Sequence, residues 1–282
     1  MQEGRFSRTA HGVAVRRAAH QIFDDPKVLD DPIALSMVSP ESVEELRSNP
    51  QKQQEKITRA FRAFMAARSR YAEDQLHRAF AEGVRQYVVL GAGLDTFAYR
   101  NPHAELRVFE VDHPATQNWK RQRLQASTIA IPPSVTFVPV DFERQTLAQG
   151  LERSQFDLSA SAFFSWLGVT PYLTREACMA TLAFAAKRAA GSGIAFDFAV
   201  HRDLLNLREK LALYALSQRV AAAGEPFQLF FRPDELAADL RVLGFRQTEI
   251  LAAAEINARY FTNRSDGLKI IGGAGRLACA WV

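Results

Sequence analysis

Tyr87-Val-Val-Leu-Gly-Ala-Gly-Leu-Asp-Thr96 is the stretch on which the reading of this chain turns. Four apolar residues closed by Gly-Ala-Gly predict a short, fully buried strand running into a tight turn. Before it the texture is helical. Ile57, Phe61, Phe64, Met65, Ala72, Leu76 and Phe80 recur at three- and four-residue intervals without Gly or Pro, up to Gly83. After it, strand candidates at Leu106 to Val111, Val135 to Val140, Phe156 to Trp166 and Gly193 to Ala199 are separated by helical stretches at Ala115 to Leu124 and Thr174 to Ala190. That alternation predicts parallel crossovers and an α/β, doubly wound, Rossmann-like sheet.

The remaining segments extend the plan. Arg202 to Ala223 reads as one amphipathic helical stretch ending at Gly224, an inserted cap over the sheet. Pro233 opens a helix that Leu243-Gly244 closes, and Phe245 to Leu251 and Arg276 to Val282 complete the strands. The expected organisation is a helical lid region over residues 1–83, and a core over 84–282 with the cap near 202–224, forming one structural unit.

Composition excludes several classes. The chain has 282 residues, 48% hydrophobic and 23% charged, with net charge +4. Its cations are interleaved with acids instead of forming a basic stripe, which argues against nucleic acid as partner. Two distant cysteines, Cys178 and Cys279, support neither a disulfide framework nor a zinc site, so no metal is expected. The polar Met1 to Arg8 lacks the apolar centre of a signal peptide, and no apolar run is long enough to span a bilayer. A soluble cytoplasmic protein, monomeric or homodimeric, is the expectation.

In a doubly wound sheet, ligands bind at the carboxyl ends of the strands. Three such ends carry chemistry. At Gly91 and Gly93, small residues let backbone approach a bulky ligand. The third glycine of a dinucleotide fingerprint is replaced by Thr96, and Asp95 would repel phosphate. A ligand with a sulfonium and an ammonium group suits that polarity better. At Phe109-Glu-Val-Asp112, Glu110 or Asp112 stands about twenty residues beyond the glycines, where an acid binds ribose hydroxyls; Asp112 is nearer the edge. At Val140-Asp-Phe142, Asp141 can accept from an adenine amine while Phe142 packs on the base. Asp141 capping a following helix is the equal alternative.

These residues resemble the leucine carboxyl methyltransferase superfamily, in particular its bacterial branch of S-adenosyl-L-methionine-dependent methyltransferases. Arg8-Thr-Ala10, Arg17-Ala-Ala-His20, Trp166-Leu-Gly-Val-Thr-Pro-Tyr-Leu-Thr174 and Arg264-Ser-Asp-Gly-Leu268 extend the likeness over nearly the whole chain. The resemblance implies a class I methyltransferase fold using S-adenosyl-L-methionine. Its cofactor residues fall on Gly91, Gly93, Asp112, Asp141 and Phe142, and on Arg68, with Arg70 as rival, for the methionine carboxylate. Two departures stand out: Leu167 occupies a position where relatives carry an acid, and Phe97 one where they carry arginine.

The implied reaction is O-methylation of a carboxylate, or of a hydroxyl, on an acidic small molecule. A carboxylate is ionised near neutrality and needs no base. A hydroxyl would need one, for which His11, His20, His113 and His201 are the candidates. Trp166, Tyr172, His201 and Arg264 are expected near the acceptor, and Arg100, Arg259 and Arg264 could grip an acidic group. Rival readings are a nucleic-acid or peptide methyltransferase with Lys56, Arg59, Arg62, Arg68 and Arg70 beside Phe61, Phe64 and Tyr71 as a basic aromatic strip, a nicotinamide dehydrogenase, and a non-catalytic cofactor-binding module.

Overall fold

Among the described residues, seven strands form one sheet in the order β3-β2-β1-β4-β5-β7-β6. They are β1 (Gln86–Leu90), β2 (Arg107–Asp112), β3 (Val135–Pro139), β4 (Phe163–Trp166), β5 (Gly193–Ala199), β6 (Gln247–Leu251) and β7 (Gly275–Trp281). The computed structural model describes residues 8–142, 145–222 and 224–282. Met1 to Ser7 of the polar N-terminus and Ala223 at the end of the expected cap lie outside the described residues.

The first five strands pair in parallel, whereas β7 runs antiparallel between β5 and β6. This reversed strand separates the sheet from the dinucleotide-binding order, in which the sixth strand continues in parallel. Alternate residues feed two cores. Val88, Leu90, Phe109, Phe164 and Phe196 face one layer of helices, and Tyr87, Val89, Val108, Phe163 and Ala195 face the other.

Among the described residues, the helical N-terminal region holds four helices: α1 (Arg8–Phe23), α2 (Pro40–Ser48), α3 (Pro50–Gln54) and α4 (Lys56–Ala81). Of these, α4 lays Ala63, Ala67, Tyr71, Leu76 and Ala79 directly on the sheet, so one core runs across the 83/84 boundary. In contrast, α1 and α2 pack over the glycine turn and α5 (Pro114–Ala126), with Ala14, Ala18, Leu46, Leu94 and Leu124 in a third cluster. The remaining helices are α6 (Leu147–Glu152), α7 (Arg175–Ala186), α8 (Leu207–Ala222), α9 (Pro233–Leu243) and α10 (Ala253–Tyr260).

Three expectations change. The strand over Phe156 to Trp166 shrinks to its last four residues, because Asp157 turns the chain by accepting from Ser159 N at 2.9 Å. The cap breaks at Asn206, whose side chain accepts from Glu209 N at 3.1 Å while Glu209 caps Asn206 N at 3.0 Å, so α8 starts after it. The short helices α6 and α10 are additions. No described helix is long and apolar enough to cross a membrane.

Candidate cofactor and acceptor site

The turn after β1 is built around Asp112. Gly93 N donates to Asp112 Oδ2 and His113 N to Oδ1, both at 2.6 Å, so the carboxylate joins the glycine turn to the end of β2. Burial pushes the Asp112 carboxyl above its usual range, and the two N–H donors only partly oppose that. Glu110, the alternative acid, is fully buried two residues down the strand, paired with Lys120 at 2.8 Å and accepting from Tyr99 Oη at 2.9 Å. It is committed to the interior, which leaves Asp112 at the edge.

The glycines have packing reasons of their own. Gly91 has φ +65° and a Cβ there would lie 2.4 Å from Val169 Cγ2, while one on Gly93 (φ +46°) would lie 3.3 Å from Ala10 Cβ. The turn is therefore pressed between the loop after β4 and α1.

The electrostatic argument from Asp95 does not survive. Arg17 of α1 pairs with Asp95 at 2.9 Å and with Asp31 at 2.6 Å, and also donates to Thr96 Oγ1 at 2.5 Å. Asp95 is neutralised locally, and Thr96 is a buried member of this clasp. Neither side chain sets the polarity facing a ligand. The motif residue His20 likewise has a structural task. Its Nε2 accepts from Val28 N and Leu29 N at 3.0 and 3.3 Å, so its Nδ1 carries the proton given to Asp24 at 2.8 Å.

At the end of β3, Val140 N donates to Asp112 O at 2.9 Å, bringing Asp141 beside the second strand end. Asp141 does not cap α6, whose N-cap is Thr146 with Gln149 completing the box. Phe142 is half exposed, at 50%.

Arg68 is buried at 6% and its Nη1 donates to Asp197 Oδ2 at 3.0 Å. The other oxygen of Asp197 accepts from Gly168 N at 2.5 Å. Gly168 has φ +72°, and a Cβ there would lie 2.9 Å from both terminal nitrogens of Arg68. Arg68 Nε is buried without a hydrogen-bond partner. Arg70 is an exposed partner of Asp74 at 2.7 Å, which removes it as a rival. Asp197 escaped the sequence reading; its only signal is a lone acid inside the apolar run Ile194-Ala-Phe-Asp-Phe198. It supplies a carboxylate to the loop where Leu167 stands in place of an acid.

Beyond Gly168, Tyr172 packs against Phe227, which follows α8, with ring centroids 5.2 Å apart and the planes tilted by 52°. Its phenol is hydrogen-bonded to Thr9 and pushed up to about 12, first by burial and then by Glu225. Thr9 in turn donates to Glu225. Gln228 N and Leu229 N donate to Pro171 O at 2.7 and 3.2 Å, docking the segment after the cap on the loop after β4. Thus Thr9, Arg68, Tyr172, Asp197 and Glu225 converge from five parts of the chain.

Other expected residues fall elsewhere. Trp166 is 3% exposed within the core. His201 caps a short turn and lies 3.4 Å from Asp203. Arg264 is chelated by Asp266 at 2.6 and 2.9 Å, Arg259 pairs with Glu249 at 2.6 Å, and Arg100 pairs with Glu73. His11 lies against Trp119, and His113 caps α5. The basic aromatic strip is not a surface: Arg62 is buried on Asp24, Arg68 on Asp197, and Tyr71 is buried with its hydroxyl on Glu249. Among the described residues, no group of three or more His, Cys, Asp or Glu could hold a metal ion.

Comparison with known proteins agrees with this architecture. The leucine carboxyl methyltransferase family matches residues 10–186. A Bacillus subtilis (strain 168) protein named "Putative S-adenosyl-L-methionine-dependent methyltransferase YktD" is 33% identical over 291 residues, spanning 95% of either chain. A Saccharopolyspora erythraea protein with the same description, without the suffix, is 33% identical over 170 residues, 60% of this chain and 58% of that one. Among solved structures, "a putative methyltransferase from Thermobifida fusca" superposes with TM-score 0.59 at 16% identity, covering 99% of this chain and 96% of that one. A DUF574 family protein from Streptomyces avermitilis gives TM-score 0.56 at 16% identity, covering 96% and 97%. At that identity the superpositions speak to the fold, a methyltransferase-type α/β sheet. The chain belongs to the leucine carboxyl methyltransferase family, and its cofactor is S-adenosyl-L-methionine.

Proposed function

We propose that this protein is an O-methyltransferase acting on an acidic small molecule, with a carboxylate oxygen as the acceptor. The observation that carries the cofactor half of this reading is the buried Asp112 carboxylate, held at the strand edge by Gly93 and His113 N–H groups at 2.6 Å. Each carboxylate oxygen has a second lone pair with which to accept from a ribose hydroxyl. Asp141 takes the adenine amine, and the half-exposed ring of Phe142 covers the base. Arg68 fits the methionine carboxylate, since its Nε is a buried donor without a partner. Gly91 and Gly93 keep the turn low enough for this approach.

When bound, the cofactor supplies an electrophilic methyl group on a positively charged sulfur. The protein's own work is alignment and exclusion of water. Tyr172, shielded by Phe227 and joined to Thr9, closes the acceptor side, and its phenol is protonated at neutral pH, as an ordinary tyrosine already is. A carboxylate acceptor asks for no proton transfer. A hydroxyl acceptor is the second reading, favoured by the Thr9 to Glu225 hydrogen bond beside Tyr172; Glu225 would then receive the proton, in place of the four histidines. With both cysteines free and buried, a cytoplasmic setting suits the chain.

Calorimetry with S-adenosylhomocysteine tests the site, and a screen of carboxylic acids, phenols and amines with labelled methyl donor tests the acceptor. Binding to the wild type that survives Asp112→Ala unchanged overturns the site assignment. Methylation confined to amines overturns the O-methyl reading.

A further inference from the structure

Several arginine–carboxylate pairs in this protein are closed forks. Asp24 takes Arg62 Nε and Nη2, each at 2.7 Å, Asp266 takes Arg264 Nε and Nη2 at 2.9 and 2.6 Å, and Glu73 takes both terminal nitrogens of Arg100. Two parallel bonds of this kind leave little edge for a third group. The pair between Arg68 of α4 and Asp197 of β5 is different. Both side chains are buried, yet a single bond joins them, Nη1 to Oδ2 at 3.0 Å. Asp197 turns its other oxygen to Gly168 N at 2.5 Å, and Arg68 Nε stays buried without a partner.

The pair therefore has spare capacity of both signs. Each oxygen of Asp197 accepts one described bond and has a second lone pair, and Arg68 has an unused N–H. Its place in the sheet gives that capacity a use. Trp166 closes β4 opposite Phe196, so Asp197 stands one step beyond β4, beside the loop that carries Gly168 and Val169. Val169 presses on the glycine turn, since a Cβ on Gly91 would lie 2.4 Å from Val169 Cγ2. Thr170 Oγ1 donates to Asp197 O at 2.6 Å and fixes the same loop two residues before Tyr172. Asp197 thus stands at one end of the strand edge as Asp112 stands at the other, with β1 and β4 between them. Three strand spacings, about 14 Å, separate β5 from β2, a span that a nucleoside carrying an amino-acid chain can bridge.

We propose that Arg68 and Asp197 together receive the amino-acid end of the cofactor, Arg68 its carboxylate and Asp197 its ammonium group, and so favour ligands that carry both charges. This rests on the cofactor reading given above, which leaves the ammonium group without an acceptor. The physical reason is charge balance. The buried pair is net neutral, so a lone carboxylate drawn to Arg68 also meets the negative charge of Asp197 and leaves the site with an excess charge. A zwitterion keeps the sum at zero, and the four charges then alternate, each beside two of opposite sign. The single bond between the partners keeps an edge of each open for this.

The test is calorimetry on the full chain with three ligands: S-adenosylhomocysteine, its analogue lacking the amino group, and methylthioadenosine, which lacks both charges. The wild type should bind S-adenosylhomocysteine about tenfold or more tighter than the analogue. In Asp197→Asn, S-adenosylhomocysteine should weaken about tenfold or more. The analogue should bind that variant at least as well as the wild type, because Arg68 no longer shares its charge with a neighbouring carboxylate. Arg68→Met should weaken both ligands, and methylthioadenosine should stay within about twofold in either variant.

Equal binding of S-adenosylhomocysteine and the analogue by the wild type overturns the proposal. So does a parallel loss of both in Asp197→Asn, the mark of a carboxylate that only holds α4 and the loop in place. Should Asp197→Asn lack a native melting transition, the wild-type ranking decides by itself. The cofactor-site reading fails separately, if the wild type binds neither S-adenosylhomocysteine nor methylthioadenosine, or if Asp112→Ala leaves both unchanged. Binding that depends on Asp112 but ignores the amino group strikes the Asp197 assignment alone.

Discussion

Gly93 N lies 2.6 Å from Asp112 Oδ2, so the turn after the first strand and the tip of the second are one hydrogen-bonded unit. Asp112 is raised above the usual carboxyl range by burial. If Asp112 holds the ribose as proposed, the accepting form is the carboxylate, so S-adenosylhomocysteine affinity should fall as pH drops through that raised value, earlier than for an ordinary aspartate. The effect of this group on folding has the opposite sign, since protonation relieves a buried charge and favours the fold at acid pH. Isothermal titration across a pH series should show the affinity loss in the wild type and not in Asp112→Asn, which starts weak.

Asp24 gives the reverse case. Burial alone would raise its carboxyl, but hydrogen bonds from Arg62 and His20 outweigh that and hold it below the usual range. It therefore contributes stability above the unfolded-state carboxyl pKa, lost as pH falls through the lower folded value. Asp24→Asn leaves Arg62 buried without its counter-ion and should cost about 3–5 kcal/mol. Urea melts at neutral pH measure the loss, and the gap between variant and wild type should narrow in acid.

At Gly91, alanine would meet Val169 Cγ2 at 2.4 Å and carry a φ of +65°. The expected penalty is about 1–3 kcal/mol from overpacking, plus about 1 kcal/mol from the left-handed backbone. Pairing it with Val169→Ala should return the steric part only. A double variant no more stable than Gly91→Ala would assign the whole cost to the backbone.

Both thiols are buried, Cys178 pushed up to about 12 by burial and Cys279 also raised. Neither should react with a disulfide reagent at neutral pH while the protein is folded. Both should titrate in denaturant, giving two equivalents per chain against none.

Much of this was visible in the residues. Buried strands such as Gly193 to Ala199, α9 between Pro233 and Gly244, and the family motifs gave the sheet and the cofactor class, because local patterning and turn chemistry coincide there. The reversed direction of β7 was not visible, since strand polarity is a tertiary choice that an apolar run does not encode. Asp197 was hidden because its pairing with Arg68 joins residues 129 positions apart. Asp95 misled for the same reason: its neutralising partner, Arg17, lies 78 residues upstream. Trp166 and Arg264 were placed by sequence neighbourhood, whereas burial and Asp266 decide where their side chains spend their bonding.

The Arg17 clasp also divides α1 into two unequal halves. Beyond Arg17 the helix is held by Asp31, Asp95, Thr96 and the His20 cluster, while its first turn meets the site through Thr9 on Glu225 and Ala10 against Gly93. Fastened at one end and latched at the other, it is a tongue whose tip can lift while its root stays in register. Amide exchange should be fast at the tip and slow at the root, and ligand binding should slow the tip selectively.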